Sequence, residues 1–289
     1  APRLVARIEP GARHEYPIFD DLAAQGATHY AGYPLPGMDG QISVVTRSPQ
    51  GFTDTQLGFI ELSLAALSLL LDDAVKALII DTVLDCYVGH SPAQQIKQGQ
   101  IRPGAMMAMH GAIWFSDIRG YSTHTQANNP AEFIGKLNAY YECVVPIIYE
   151  HQGEVLKFIG DAVLAIFADD NPDDEGEACR RALAAAQASN EARLDRNSEF
   201  DHGIGLHVGE FQFCNIGSLR RLDFTVIGNE VNVAARIEAK CSALQQRLLM
   251  SEAFVQQAGL PARLVDKVQL KGLDGDFALY APVERRRSA

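Results

Sequence analysis

The chain lacks a surplus of positive charge, a membrane-length apolar run and a cysteine pairing pattern. Lys and Arg total 25 against 36 Asp and Glu, for a net charge of −11 and a pI near 5.2. No broad basic surface or basic recognition helix is therefore available to a nucleic-acid backbone, and a DNA-binding regulator is disfavoured. The longest apolar run, Leu62 to Leu71, is bracketed by Glu61 and Asp72-Asp73 and is far too short to span a bilayer. The five cysteines (Cys86, Cys143, Cys179, Cys214 and Cys241) are odd in number, with no CxxC pair. That suits a reducing compartment better than a disulfide framework or a zinc site, and the histidines show no metal-ligand spacing. With no visible secretory leader, a cytoplasmic location is expected. A phosphate-bearing small molecule could still be met by a local cluster of Lys, Arg and metal.

What is present suffices for one large core or two modest ones: 289 residues, 31.5 kDa, 47% apolar. In the first 52 residues, "THYAGYPL" and "QISVVTRS" flank the turn "PGMDG" and predict a strand hairpin. Thr53 or Asp54 then caps a long helix that runs through "TQLGFIELSLAALSLLLDDAVKALIIDTVLDCYVG". Its apolar residues recur at helical spacing, as in a core helix or a dimerising connector. Gly and Pro in "SPAQQIKQGQIRPGA" mark a boundary near residue 105, so the expected segments are 1–52, 53–105 and 106–289.

Beyond that boundary, strand "AIWFSDI" precedes a helix expected from Asn129-Pro130 to Gly153. The hairpin "EVLKFIGDAVLAIF", the helix "DDEGEACRRALAAAQASNEARL" and strands "HGIGLHVGEFQFCNIG" and "LDFTVIG" follow. Helix "EVNVAARIEAKCSAL", a short "RLLMSEAFVQQAG" and a last hairpin, "LVDKVQLKGLDGDFALYAPV", complete the chain. The order βαββαβ predicts an α+β sandwich of ferredoxin-like type, with helices on one face of the sheet.

Two aspartates end apolar strands: Asp117 in "GAIWFSDIRGYS", and Asp161 on the Gly-Asp turn of "EVLKFIGDAVLAIF". A carboxylate held against a core is costly unless a cation or a hydrogen-bond network compensates it. Two such hard oxygen donors suit Mg²⁺ and phosphoryl chemistry. Asn232 and Arg236 lie four apart on a predicted helix and share one face. Small neighbours, Ala234 and Ala235, let that face approach another surface, and a planar guanidinium matches phosphate oxygens. His207, on an apolar strand, is expected to be a satisfied core histidine.

Together, "FSDIRGYS", "LKFIGDAVLAIF", "GLHVGE…NIG" and "DFTVIGNEVNVAARIE" resemble the class III nucleotidyl cyclase catalytic domain over roughly residues 108 to 283. The resemblance implies that Asp117 and Asp161, with the backbone of Ile118, hold two Mg²⁺ or Mn²⁺ ions per site. It implies that the backbone from Ile118 through Arg119, Gly120 and Tyr121 to Ser122 cradles the triphosphate. Asn232 would orient the ribose, Arg236 stabilise charge on the α-phosphoryl group, and Lys271 in "QLKGLDG" contact the terminal phosphates. The purine-reading positions fall on Lys157 and Thr225, a pair that resembles the class IIIb adenylyl subgroup. A lysine donates to adenine N1 and a threonine hydroxyl accepts from the exocyclic amine. Guanylyl enzymes generally carry Glu and Cys or similar residues there.

The implied activity is an adenylyl cyclase, a lyase that converts ATP to 3′,5′-cyclic AMP and pyrophosphate. Because the family draws its aspartates from one domain and its Asn/Arg pair from another, a homodimer with shared sites is implied. The family usually has Gly before "NIG" where this chain has Cys214, a change placed to disturb the local backbone or the dimer contact. The first hundred residues bear a weaker likeness to the closing half of a GAF sensor. The rivals are a non-catalytic cyclase-like module, which would be expected to have lost a metal aspartate, Asn or Arg, and a guanylyl cyclase. A diguanylate cyclase lacks support, since its GG[DE]EF signature is absent.

Overall fold

The computed structural model describes residues 4–9, 16–35, 39–99, 102–121, 129–169, 174, 176–196, 198–218, 220–273 and 275–283. The chain divides into two compact units, residues 1–83 and 84–289. In the first, strands β1 (Leu4–Arg7), β2 (His29–Pro34) and β3 (Gln41–Thr46) form an antiparallel sheet with β2 in the middle. β2 is covered on both faces. Tyr30 packs with Ile8, Ala27 and Phe19 of helix α1 (Ile18–Ala24), and Ala31 and Tyr33 pack with Leu57 and Leu64. The expected β2–β3 hairpin is present; β1 and α1 were not legible in the pattern.

Leu57 and Leu64 belong to α2 (Asp54–Val88), the long helix foreseen from the sequence. Its start is a capping box: Gln56 N–H donates to Thr53 Oγ1 at 3.3 Å and Thr53 N–H donates to Gln56 Oε1 at 3.0 Å. Phe59, Leu62, Leu69, Leu70, Leu78 and Ile79 along this helix are exposed. No helix among the described residues is long and apolar enough to cross a membrane.

The second unit opens with α3 (His90–Lys97) and is built on an eight-stranded sheet. In chain order it comprises β4 (Met106–Ile118), α4 (Pro130–Tyr141), α5 (Val145–Glu150), β5 (Glu154–Ile159), β6 (Ala162–Ala168), α6 (Glu177–Asp195) and β7 (His202–Ser218). β8 (Arg221–Ile227), α7 (Asn229–Glu238), β9 (Leu248–Ser251), α8 (Glu252–Ala258), β10 (Ala262–Gln269) and β11 (Asp276–Pro282) follow. The sheet order is β10-β11-β9-β7-β4-β6-β5, with β8 paired to the far end of β7. Within it, β5-β6-β4-β7 is the antiparallel core of the expected βαββαβ unit.

The middle of β4, Gly111 to Phe115, has no charged residue because both of its faces are covered there. Trp114 meets the core formed with α4, α5 and α6, while Ile113 meets Phe211, Phe213 and Ala234 on the other side. The expectation of helices on one face therefore holds for α4, α5 and α6, and α7 lies on the opposite face. A second difference concerns the helix after Asn129. Asn129 caps it as expected, its Oδ1 accepting from Ala131 N–H at 2.9 Å. The single helix to Gly153 is instead two, α4 and α5, because Pro146 has no N–H to give the carbonyl four residues back.

Three glycines on one face of β7 set how closely α7 approaches. A Cβ on Gly205 would lie 2.5 Å from Glu238 N and 2.6 Å from Ala234 O, and one on Gly209 would lie 2.7 Å from Glu230 Cγ. At Gly203 it would meet Glu238 Oε1 at 2.5 Å. Gly205→Ala drives a methyl into helix backbone that cannot rotate away, so we expect a loss of about 1–3 kcal/mol of stability, read as a lower thermal midpoint. Gly160→Ala is the comparison: its added methyl meets nothing within 4 Å and only the left-handed φ of 67° resists it, so the expected loss is about 1 kcal/mol.

Candidate active site

β4 and the β5–β6 hairpin bring the two strand-end aspartates together. The hairpin loop is Gly160-Asp161, with Ile159 paired to Ala162. Gly160 at φ 67° takes the first central position of a tight hairpin turn, a conformation that glycine adopts without strain. Because Ser116 pairs with Val163, this loop lies beside the end of β4. The Ile118 N–H is 3.2 Å from Asp117 Oδ1 and 3.2 Å from Asp161 Oδ2. Burial, then the neighbouring Asp161, push the Asp117 carboxyl up to about 7, partly offset by the Ile118 N–H. Among the described residues, neither carboxylate has a Lys or Arg ion pair.

A pair of carboxylates short of positive charge fits hard divalent ions such as Mg²⁺ or Mn²⁺. No three His, Cys, Asp or Glu side chains gather as a metal cluster among the described residues. Further ligands would thus come from backbone carbonyls such as that of Ile118, from water or from substrate oxygens.

The turn after Asp117 divides into used and free donors. Arg119 N–H donates to Asp201 O at 2.8 Å, and its guanidinium reaches Asp201 Oδ2 at 3.2 Å, Cys241 O and Gln246 O. Its side chain is thus a clamp across the strand ends. Tyr121 turns its ring edge-on to Phe133, with centroids 5.3 Å apart. Gly120, at φ 68°, and Tyr121 keep backbone N–H groups without a protein partner among the described residues. Ser122 lies outside the described residues.

Lys157 and Thr225 come to one neighbourhood. Lys157 Nζ lies 2.6 Å from Asp223 Oδ2, and Asp223 shares a face of β8 with Thr225, two residues on. Thr225 is buried and stands opposite Cys214 in β7, whose thiol donates to the Thr225 carbonyl at 3.5 Å. The register through Cys214 is unbroken on both sides, so the substitution of a usual glycine leaves the strand regular.

Asn232 and Arg236 sit on the outer side of α7. Asn232 is exposed, and its Nδ2 donates to Gly228 O at 3.4 Å. Arg236 Nη1 is buried without a hydrogen-bond partner among the described residues, and a Cβ on Gly272 would lie 3.6 Å from Nη2. Lys271, just before Gly272 in the turn after β10, is exposed. A guanidinium with a buried orphan donor, next to the turn that carries Lys271, offers hydrogen-bond donors to an anion.

Residues 106–281 match the family model described as "Adenylate and Guanylate cyclase catalytic domain". The chain belongs to this family. It is 35% identical over 193 residues to an adenylate cyclase of Anabaena cylindrica, covering 62% of this chain and 38% of that relative's length. A bacterial light-regulated adenylyl cyclase superposes with a TM-score of 0.60 at 27% identity, over 76% of this chain and 64% of that one. The crystal structure of a guanylyl cyclase gives a TM-score of 0.52 at 26% identity, over 65% of this chain and 98% of that one.

The cyclase domain holds one acidic group that sequence reasoning missed. Glu238 ends α7, and its carboxylate lies over Gly203, the strand partner of Asp117. Burial, then Asp117, raise its carboxyl to about 8, with Arg119 pulling the other way and Asp161 adding to the rise. The available signal was the acid two residues after Arg236 in "NVAARIE". His207 is a satisfied core histidine, as expected: its rings nitrogens lie 2.7 Å from Ser251 Oγ and 2.6 Å from Glu230 Oε2.

Two carboxyls whose folded pKa values are raised bind protons that the unfolded chain gives up. Their contribution to stability is complete below the unfolded values, 3.8 for Asp117 and 4.5 for Glu238, and is lost as pH rises toward about 7 and about 8. Chelator-treated protein should therefore lose stability between about pH 5 and pH 8. Glu238→Gln should flatten that slope in denaturant titrations across the range. An unchanged slope would remove Glu238 from the acidic cluster.

Proposed function

We propose that this cyclase is an adenylyl cyclase, converting ATP to 3′,5′-cyclic AMP and pyrophosphate at sites shared between two copies of the chain. The choice of ATP rests on Lys157 lying in the Thr225 neighbourhood, joined to it through Asp223. A lysine ammonium only donates, so it suits the acceptor N1 of adenine, and the Thr225 hydroxyl can accept from the exocyclic amine. Guanine would turn an N–H toward the ammonium and leave two donors facing each other, which favours ATP over the guanylyl alternative.

In the reaction, the O3′–Pα bond forms as the bridge from Pα to the leaving oxygen breaks in line, and the 3′-hydroxyl gives up its proton. Asp117 and Asp161, with the Ile118 carbonyl, would hold divalent ions, which when bound acidify a coordinated hydroxyl and neutralise phosphate charge. Gly120 and Tyr121 offer backbone N–H groups to the phosphate chain. Asn232 orients the ribose, Arg236 meets charge on the α-phosphoryl oxygens, and Lys271 reaches toward the terminal phosphates. The non-catalytic alternative would be expected to lack one of these groups, and all of them are present.

A shared site is supported by unmatched charge. The Asp117–Asp161 pair has no Lys or Arg ion pair, and Arg236 has no carboxylate partner, among the described residues of one chain. A second copy would supply each with its complement. The apolar residues left exposed along α2 suit a chain that works as a pair.

Asp161→Ala and Arg236→Ala chains should each be inactive alone. Mixed in equal amounts, they should recover about a quarter of wild-type cyclic AMP production, since half the dimers are mixed and each has one intact site of two. No recovery despite demonstrated mixed dimers would sink the shared site. Separately, Lys157→Glu with Thr225→Cys should move the ATP-to-GTP ratio of kcat/KM toward GTP by at least about tenfold. An unmoved ratio means these two residues do not read the base.

A further inference from the structure

Gly203 pairs with Asp117 across β7 and β4, and opposite residues of an antiparallel pair face the same side of the sheet with Cβ positions about 5 Å apart. Gly203 sends no side chain there. Glu238, at the end of α7, fills the space instead: a Cβ on Gly203 would lie 2.5 Å from Glu238 Oε1. Its carboxylate therefore stands beside Asp117, where a side chain of residue 203 would otherwise be. Among the described residues, Glu238 accepts no hydrogen bond and makes no ion pair. Arg119 acts on it electrostatically, yet the guanidinium gives its hydrogen bonds to Asp201, Cys241 O and Gln246 O. A half-buried carboxylate next to two others is costly to keep unless a cation compensates it.

No three His, Cys, Asp or Glu side chains of the described residues gather closely enough to hold one ion directly, so Glu238 stands one layer out from an ion at the aspartate pair. Hard divalent ions such as Mg²⁺ keep several of their waters, and groups that accept hydrogen bonds from a metal's ligands orient them. We propose that Glu238 is a positioning residue for the divalent ion: its carboxylate accepts a hydrogen bond from a water bound to an ion at Asp117 and Asp161. This rests on the reading of the aspartate pair as the metal site. It also gives Gly203 a use beyond helix seating, since a side chain there would displace the carboxylate.

The test reads Mn²⁺ binding to the full chain without nucleotide, from loss of the free-ion EPR signal at about pH 8.5, above the raised value of the Glu238 carboxyl. Wild type is compared with Glu238→Gln, Glu238→Asp and Asp161→Ala. Glu238→Gln keeps the shape but not the charged acceptor, and should bind Mn²⁺ about tenfold or more weakly, the usual cost of removing a group that supports a metal's ligands. Glu238→Asp keeps the charge but draws its oxygens back by one methylene, and should stay at least about threefold weaker than wild type. The rise in unfolding temperature on adding Mn²⁺ should shrink in step, a measure that holds even for a variant of lower stability. The proposal fails if Glu238→Gln binds Mn²⁺ as wild type does. It also fails if Glu238→Asp matches wild type, which would leave a charge acting through its field alone. Equal binding by wild type and Asp161→Ala overturns the metal reading of the aspartate pair itself, and so separates failure of that reading from failure of the positioning role.

Discussion

Backbone contact between α7 and the glycine face of β7 is the constraint on which the catalytic unit depends. Gly203, Gly205 and Gly209 stand on one face of the strand, so Glu238, Ala234 and Glu230, spaced four apart, lie directly over it. A helix seated on backbone rather than on side chains has little freedom to roll. With 3.6 residues per turn, positions 232 and 236 then lie roughly 200° round from residue 234, away from the sheet and on a common face. The orientation of Asn232 and Arg236 is thus set from the inner face of the helix. The His207 bridge from Ser251 to Glu230 fixes the first turn of the same helix.

The same seating puts an acid where composition alone would place a solvated one. Glu238 ends the helix over the strand partner of Asp117, so the Asp117–Asp161 end of the sheet gathers three acids within one another's fields. Arg119, two residues from Asp117, is held by Asp201 and by two carbonyls instead of neutralising the aspartate pair. The cation two residues along the chain from Asp117 is thereby turned to other partners.

Much of this was legible because the signals were local. The doubly buried β6 and the Gly111–Phe115 stretch of β4 read as apolar runs, the Gly160-Asp161 turn announced its hairpin, and Thr53 marked the start of α2. Asp117 and Asp161 could be paired once β4 and the β5–β6 hairpin were assigned to one sheet. What stayed hidden was mostly long-range. Arg119 looks like a phosphate-loop residue until Asp201, 82 positions later, takes it. Asp223 reads as a strand-edge charge until β5 and β8 meet. The break between α4 and α5 was a local signal at Pro146 outweighed by the helical spacing around it. β1 is four residues long, too short for alternation to register.

The separation of charge within the chain also bears on why the proposed site should need two copies. An arginine free to reach Asp117 in its own chain would satisfy both groups and occupy the place of metal and phosphate. Holding α7 by its inner face turns Arg236 outward, where the Lys271-Gly272 turn covers it and its Nη1 has no acceptor among the described residues. Among the described residues, one chain then carries an acidic end and a basic face that do not compensate each other. Under the proposed reading, a nucleotide triphosphate with its ions is the ligand that can compensate both at once, joining the acidic end of one chain to the basic face of its partner.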